Sequence, residues 1–146
     1  MAEEEKSTFE VHSTNEEGFT VSNSVRDFEV VADEPENMGG TDEGPNPVEF
    51  LLVGLGSCLC IMTRMMARKM RVDLDVVDVD VEGDLDLRGM QGAEGVRAGF
   101  QQVRAELKLQ GDLSEEEKEK LLQMVELSCP VDDSLAHEVD VRLKVS

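Results

Sequence analysis

Cys58 and Cys129 are the residues of this chain whose type and setting are best suited to chemistry. They lie 71 residues apart. Cys58 lies inside the apolar run 50–66, and Cys129 ends a second amphipathic run directly before Pro130. Thiols in two helix-like segments can meet across a small core, and a meeting pair can cycle between thiol and disulfide. A reversible thiol–disulfide cycle is therefore one chemistry open to this chain.

The composition predicts a single domain, 1–146, with one core. Apolar residues make up 40% of the chain, but there is no Trp or Tyr and there are only five Phe, so Val, Leu and Met must build the core. The 33 acidic and 14 basic residues give a net charge of −19, which predicts repulsion from nucleic acid and anionic membranes. The acidic residues are dispersed along the chain. This pattern is typical of a halophilic acidic protein, since high salt screens self-repulsion, and an acidic mesophilic protein is the alternative.

The lengths of the apolar runs, the acidic N-terminal residues and the cysteine count predict a cytoplasmic protein without a membrane span. No run of about 18 or more uninterrupted apolar residues occurs. The first five residues, 1–5, are acidic overall, unlike the start of a signal peptide. Three cysteines are an odd number, unlike a secreted disulfide framework.

The first half of the chain predicts three short strands and a long helix. The strand patterns cover residues 8–32, and the glycines and prolines of residues 33–46 predict a loop. Asn46 is a good N-cap, with Pro47 at the first helical position, and the helix runs to about Lys69. Because the helix is apolar over most of its surface, one small sheet cannot cover it. A dimer that buries two such helices together would cover it.

The second half predicts strands on either side of one further helix. Ser114 and Glu117 form a capping box for that helix. Its predicted buried stripe consists of Leu121, Leu122 and Val125, with Cys129 on the same face. The other predicted elements are a strand over 72–81 with a bulge at Val76–Val77, a turn and loop over 83–99, a strand facing inward through Val103, Ala105, Leu107 and Leu109, and a final strand facing inward through Val139, Val141, Leu143 and Val145. The order β-β-β-α-β-β-α-β predicts an α+β fold, with two helices against antiparallel sheet.

Helical geometry places Cys58 on an apolar face. At about 100° per residue, Leu51, Leu55, Met62 and Met65 lie within roughly 60° of it. Cys58 therefore faces the core or an apolar pocket, and a small buried hydrophobe is the alternative to a reactive thiol. It lies too deep in the helix for the N-terminal dipole to activate it, so a reactive thiolate needs a partner from another segment.

Cys60, the two histidines and the position of Cys129 give weaker indications of chemistry. Cys60 lies about 200° from Cys58 around the helix, which predicts a structural role. The histidines, His12 and His137, form no close ligand pair with the cysteines at zinc-finger spacing, so no metal site is predicted. Cys129 lies at a helix end before a proline, which predicts a frayed, accessible position.

Two motifs carry a resemblance to a known family. Residues 44–58, GPNPVEFLLVGLGSC, resemble the OsmC/Ohr family, in which a Pro-x-Glu-Leu-Leu stretch leads into a small-residue pair and a cysteine. The family's second signature, Cys-Pro-Val near the C-terminus, is matched by Cys129-Pro130-Val131. Asp-Glu-Pro at 33–35 and Gly-Gly-Thr-Asp at 39–42 are also similar, so the resemblance covers nearly the whole chain.

The resemblance implies an intertwined homodimer, with antiparallel sheets wrapped around two central helices. It also implies thiol-dependent reduction of organic hydroperoxides, with no bound cofactor and with an external thiol or dithiol as reductant. Cys58 would be the peroxidatic thiolate that passes through a sulfenate, and Cys129 the resolving thiol that forms a disulfide with it. A pocket of Met and Leu side chains around Cys58 would favour small apolar hydroperoxides over hydrogen peroxide.

One departure from the family pattern concerns what activates Cys58. Val48 stands where the hydroperoxide-resistance branch has a glutamate that pairs with an arginine. Glu49 follows, but it lies about 180° from Cys58 around an ideal helix, so it either acts across a dimer or caps its own helix. Arg26, the only arginine before the long helix, is the candidate activating arginine, and a surface role is its alternative.

The departure also keeps other functions open. It points to an OsmC-like branch other than the established peroxidases. The alternative function is a stress-associated binding protein with little or no peroxidase activity. A redox-switched regulator is a third possibility, but the sequence offers no nucleic-acid-binding surface for it.

Overall fold

The computed structural model describes residues 3–146. Met1 and Ala2, which begin the acidic N-terminal stretch, lie outside the described residues. Antiparallel strands and helices make up the fold, so the predicted α+β class is confirmed. The described residues divide into two compact units, with the boundary between Phe50 and Leu51. The prediction of a single domain remains a prediction.

Five strands and four α-helices follow one another along the described residues. The strands are β1 (His12–Thr14), β2 (Val21–Val25), β3 (Phe28–Ala32), β4 (Asp73–Leu85) and β5 (Phe100–Asp112). The helices are α1 (Pro47–Met70), α2 (Leu87–Met90), α3 (Glu115–Ser128) and α4 (Pro130–Ala136), and a short 3-10 helix covers Glu36–Met38.

The first unit is an antiparallel sheet in the order β1-β2-β3, which confirms the three predicted strands. The loop that follows β3 is organised around Asp33, whose side chain is only 1% exposed. Its carboxylate accepts hydrogen bonds from the hydroxyls of Thr41 at 2.7 Å and Thr20 at 3.0 Å. It also accepts from the backbone N–H groups of Glu34 and Glu43. One buried carboxylate thus fixes the path of the chain towards α1, because leaving it without partners would be costly.

The N-terminus of α1 is capped as the sequence predicts. The side chain of Asn46 accepts a hydrogen bond from the backbone N–H of Glu49 at 2.8 Å. The Glu49 carboxylate accepts in return from the backbone N–H of Asn46 at 3.0 Å. This reciprocal pair is a capping box with Asn in place of Ser or Thr. The helix ends at Met70, one residue beyond the predicted end.

The second unit contains a long two-stranded ribbon, β4 paired with β5. The pairing slips between Leu74 and Val76, which confirms the bulge predicted at the next residues along. The predicted end of β4 at residue 81 is wrong, because the strand continues to Leu85. Gly83 belongs to the ribbon and not to a turn: a Cβ there would lie 2.6 Å from the ring of Phe100. The glycine makes room for that aromatic side chain.

The core of the second unit forms where α1 and α3 meet. Its buried members are Leu55 and Leu59 from α1, with Val125 and Cys129 from the end of α3. Around them pack partly buried side chains of the ribbon, α1 and α4, namely Val79, Val81, Val103, Leu107, Cys58, Met62, Met66, Val131 and Leu135. The predicted stripe of α3 is correct for Leu121 and Val125, which are fully buried. It is wrong for Leu122, which is 42% exposed.

Much of α1 is left uncovered by the residues that the structure describes. Only four of its residues are buried: Leu55, Leu59, Thr63 and Ala67. Large apolar side chains elsewhere on the helix are about half exposed, namely Leu51, Val53, Ile61 and Met65. By length and composition alone α1 could also cross a membrane, but core helices of soluble proteins satisfy the same criterion. The exposure agrees with the expectation that one sheet cannot cover this helix.

The C-terminal segment differs most from the prediction. The predicted final strand is wrong, because residues 137–146 form no strand and Val139, Val141, Leu143 and Val145 are between 59% and 97% exposed. Alternating apolar residues make a strand only where a neighbouring strand accepts their backbone hydrogen bonds. None of the described strands pairs with this segment.

Candidate redox site

The structure brings Cys58 and Cys129 together. Their sulfur atoms are 3.0 Å apart, and the thiol of Cys129 donates a hydrogen bond to the sulfur of Cys58. Both cysteines are free thiols in this structure. A disulfide needs its sulfurs at about 2.05 Å, so a small movement of either side chain would join them. The pair is therefore placed for reversible disulfide formation.

Three features of α3 hold Cys129 in position. The helix begins with the predicted capping box, in which Ser114 accepts from the N–H of Glu117 and the Glu117 carboxylate accepts from the N–H of Ser114. Val125, one turn before Cys129, is fully buried. The backbone N–H of Cys129 donates to the carbonyl of Val125 at 2.9 Å. The last turn of α3 thus aims the cysteine into the core.

The segment after Cys129 forms the helix α4, which the sequence pattern did not predict. Cys129 has an extended backbone, with φ −75° and ψ 111°, and it serves both as the C-cap of α3 and as the N-cap of α4. Pro130 at the first position of α4, followed by Asp132 and Asp133 in its first turn, is the signal that could have predicted this helix.

The predicted accessibility of Cys129 is wrong. Its side chain is only 1% exposed, because α3 ends and α4 begins around it instead of fraying. Burial raises the pKa of the Cys129 thiol, and the hydrogen bond to Cys58 acts in the same direction. The backbone N–H groups of Asp132 and Val131 oppose this shift by stabilising negative charge on the sulfur. Cys129 is therefore held mainly as a neutral thiol near neutral pH.

Cys58 is more accessible than its partner. It is partly exposed and lies at the edge of the core, beside Met62 and Met66 of the same helix. Leu55 packs into the core as expected. Leu51 and Met65, which were also placed on this face, are instead 45% and 52% exposed. The covered stripe of α1 is thus narrower than the sequence pattern indicates.

Cys60 lies on a different face of α1 from Cys58. It lines a shallow, largely apolar cavity of about 300 Å³ together with Ile61, Arg64, Met65 and Arg68. The guanidinium of Arg64 donates to the backbone carbonyls of Leu74 and Asp75, at the bulge of β4. It therefore fastens α1 to the ribbon.

Glu49 and Arg26 have roles of their own within the first unit. The Glu49 carboxylate is engaged in the capping box of α1, which is one of the two roles expected for it. Arg26 lies in the tight turn between β2 and β3, with a left-handed backbone at φ 53°. Its guanidinium stands 5.0 Å from the centre of the Phe28 ring, a cation–π contact. Activation of Cys58 by either residue remains a prediction.

One cavity of the second unit is lined by residues other than the cysteines. It has a volume of about 640 Å³ and lies between α1, β5 and the end of α4. Leu55, Leu59, Leu107 and Leu135 contribute apolar surface to it, and Arg97 and His137 contribute polar groups. Within residues 3–146, no group of three or more His, Cys, Asp or Glu side chains is arranged to hold a metal ion. The sulfur pair is the feature of this unit best suited to chemistry.

The sequence and the fold together define the family. Residues 40–144 match the OsmC family, described as OsmC-like protein, and the chain belongs to that family. An uncharacterized protein of Haloferax volcanii is 27% identical over 140 residues, covering 95% of this chain and 96% of the relative.

Two solved structures share the fold. An OsmC-like protein from Mycoplasma pneumoniae matches with a TM-score of 0.79 and 19% identity, over 90% of this chain and 89% of that one. The second is an organic hydroperoxide resistance protein OsmC from Legionella pneumophila, also described as a predicted redox protein and regulator of sulfide bond formation. It matches with a TM-score of 0.70 and 20% identity, over 95% and 96% of the two chains. The family resemblance read from the motifs is thereby confirmed.

Proposed function

We propose that this protein is a thiol-dependent peroxidase that reduces organic hydroperoxides through Cys58 and Cys129. The observation that carries the proposal is the 3.0 Å separation of the two sulfurs within one packed core. The family supports it, because a structural neighbour is named as an organic hydroperoxide resistance protein.

The proposed reaction has three balanced steps. The Cys58 thiolate attacks the terminal oxygen of the hydroperoxide, the O–O bond breaks, and the alkoxide takes a proton and leaves as the alcohol. Cys58 is then a sulfenic acid. The Cys129 thiol attacks the Cys58 sulfur, and water leaves as the disulfide forms. Two equivalents of an external thiol return both cysteines to thiols and are themselves joined in a disulfide.

The surroundings of Cys58 favour an apolar substrate. Met62 and Met66 of the same helix are partly buried and, like Cys58, pack against the apolar core, so an alkyl or aryl group near Cys58 would meet apolar side chains. The net charge of −19 disfavours strongly anionic hydroperoxides at low salt. The chemistry needs no bound cofactor, because sulfur carries the electrons.

The proposal includes a cytoplasmic homodimer. The half-exposed apolar side chains of α1, among them Val53 and Ile61, and the exposed apolar residues of the C-terminal segment need cover. A second copy of the chain would supply it.

The proposal is tested by peroxide consumption. Reduced protein, cumene hydroperoxide and a thiol reductant are mixed in molar salt, and peroxide loss is followed. Turnover should disappear in Cys58→Ser and persist in Cys60→Ser, the matched control from the same helix. A folded protein that neither consumes peroxide nor forms a sulfenate or disulfide would disprove the peroxidase function.

The resolving role of Cys129 has its own variant. In Cys129→Ser, peroxide should leave Cys58 as a sulfenic or over-oxidised species, detectable by mass spectrometry. Turnover at the wild-type rate in this variant would remove Cys129 from the mechanism.

A stress-associated binding protein with little or no peroxidase activity is the second candidate. The observation in its favour is that the Glu49 carboxylate is used by the capping box, while Val48 stands where the peroxidase branch has its glutamate. This candidate predicts that hydroperoxides leave Cys58 unmodified although the protein is folded. The peroxide assay above separates the two functions.

A further inference from the structure

The two sulfurs of the redox pair differ sharply in their access to solvent. Cys58 is partly exposed at the edge of the core, whereas Cys129 is 1% exposed. Cys129 lies between the end of α3 and the start of α4 and packs in the same core cluster as the fully buried Val125. A molecule arriving from solvent can therefore approach the first sulfur but not the second.

In thiol–disulfide exchange, this difference in exposure decides which of the two sulfurs an external thiol can attack. The attacking thiolate approaches one sulfur of the disulfide from the side opposite to the other sulfur, and the rate depends on which sulfur can be reached. Attack on Cys129 would have to come through the core, because Cys129 is 1% exposed and belongs to the same buried cluster as Val125. Attack on Cys58 comes from the partly open side of α1.

We infer that the thiol which regenerates the protein attacks the sulfur of Cys58, so that the mixed disulfide forms on Cys58 and Cys129 is the leaving group. The inference rests on the proposed function, because that function supplies the Cys58–Cys129 disulfide. A bond forms between the reductant sulfur and Cys58, and the bond between the two cysteines breaks. Its electron pair goes to the Cys129 sulfur, which takes a proton. A second reductant thiol then attacks the reductant's own sulfur and releases the Cys58 thiolate.

The setting of the departing sulfur affects how long the mixed disulfide lasts. The N–H groups of Val131 and Asp132 stabilise the charge as it develops on Cys129. Burial nevertheless raises the pKa of Cys129, so the released sulfur is mainly protonated near neutral pH. A protonated thiol is a poor nucleophile, which slows its return to Cys58. The mixed disulfide should therefore live long enough to be trapped.

The test uses the full chain carrying Cys60→Ser, so that only the pair can react. The disulfide is formed with diamide and not with peroxide. The oxidised protein is then exposed to excess mercaptoethanol, an uncharged monothiol, in molar salt. After a rapid acid quench, free thiols are alkylated and the peptides are analysed by mass spectrometry. Mercaptoethanol should be found on Cys58, with the alkyl label on Cys129, in at least tenfold excess over the reverse arrangement. Equal amounts, or an excess of the reverse, would overturn the inference, as would failure of diamide to join the pair.

A second measurement does not depend on trapping. In the same Cys60→Ser background, Cys129→Ser leaves Cys58 as the single thiol, and Cys58→Ser leaves Cys129. Uncharged dithiodipyridine should react with Cys58 at least tenfold faster than with Cys129. Similar rates would show that the buried sulfur is open to attack and would overturn the inference. Because neither experiment uses a hydroperoxide, loss of the peroxidase function alone would leave both results unchanged.

Discussion

Replacing Val125 with alanine tests whether the core around Cys129 is as tightly packed as the structure indicates. Val125 is fully buried in the core cluster that contains Cys129. The substitution removes two methyl groups, worth about 1.6 kcal/mol of transfer free energy, and the unfilled space adds to that cost, so we expect a loss of about 2–3 kcal/mol of unfolding free energy. Denaturant unfolding in molar salt measures it.

The matched control is Leu127→Ala on the same helix. It removes more carbon atoms than Val125→Ala, but Leu127 is 89% exposed. A surface substitution of this kind should change the unfolding free energy by no more than about 0.5 kcal/mol. A cost for Val125→Ala below that value would refute the burial argument. An equal cost for both variants would show that something covers the outer face of α3.

The same substitution should change the reactivity of Cys129. With Cys58→Ser and Cys60→Ser in the background, Cys129 is the single thiol. If alkylation requires global unfolding, a loss of about 2–3 kcal/mol raises its rate roughly 30- to 140-fold, since about 1.4 kcal/mol is tenfold. A lower stability with an unchanged alkylation rate would show that the sulfur is reached by local opening, contrary to the proposed protection by α3 and α4.

Three further predictions concern the elements that support the two units. Asp33→Asn should destabilise the protein at neutral pH. Hydrogen bonds lower the pKa of Asp33, so its contribution to stability is present above its unfolded pKa near 3.9 and is lost as the pH falls through the folded value. In acid unfolding, the difference in unfolding free energy between the variant and the wild type should therefore narrow below about pH 4 and not above it. Ser114→Ala should cost about 1 kcal/mol in denaturant unfolding by removing the cap of α3, and an unchanged midpoint would contradict that role. Gly83→Ala should cost about 1–3 kcal/mol because its Cβ meets the Phe100 ring, and the cost should fall when Phe100→Ala is also present; an undiminished cost would identify another cause.

The elements that the sequence predicted well are those with local chemical signals. Asn46 and Pro47 marked the start of α1, and Ser114 with Glu117 marked the start of α3, because capping depends on neighbouring residues. The slip in the apolar alternation of β4 likewise predicted its bulge. The meeting of Cys58 with Cys129 needed more than local signals. The family motifs supplied it.

The predictions that failed depended on distant partners. Alternation at Val139 to Val145 looked like a strand, but a strand exists only where another strand pairs with it. Leu122 is predicted to lie in the buried stripe of α3, yet the described chain leaves it 42% exposed. Gly83 was read as a turn because the ring of Phe100 that requires it lies 17 residues away in sequence. Helical periodicity shows which side is apolar, but it does not show how much of that side is covered.

The protected position of Cys129 follows from its immediate sequence. Leu121, Val125 and Cys129 recur every four residues, so α3 directs all three to one face. A residue before proline avoids the helical backbone region, and Cys129 accordingly has ψ 111°. The chain therefore ends one helix at the cysteine and begins another at Pro130, whose ring has no N–H to donate. The next two N–H groups, of Val131 and Asp132, are the ones that favour charge on the sulfur. The Cys-Pro-Val motif thus buries the second thiol and places two backbone donors that partly oppose the effect of burial on its pKa, while Cys58, on the half-covered helix α1, remains the more exposed sulfur, as the proposed attack by a reductant requires.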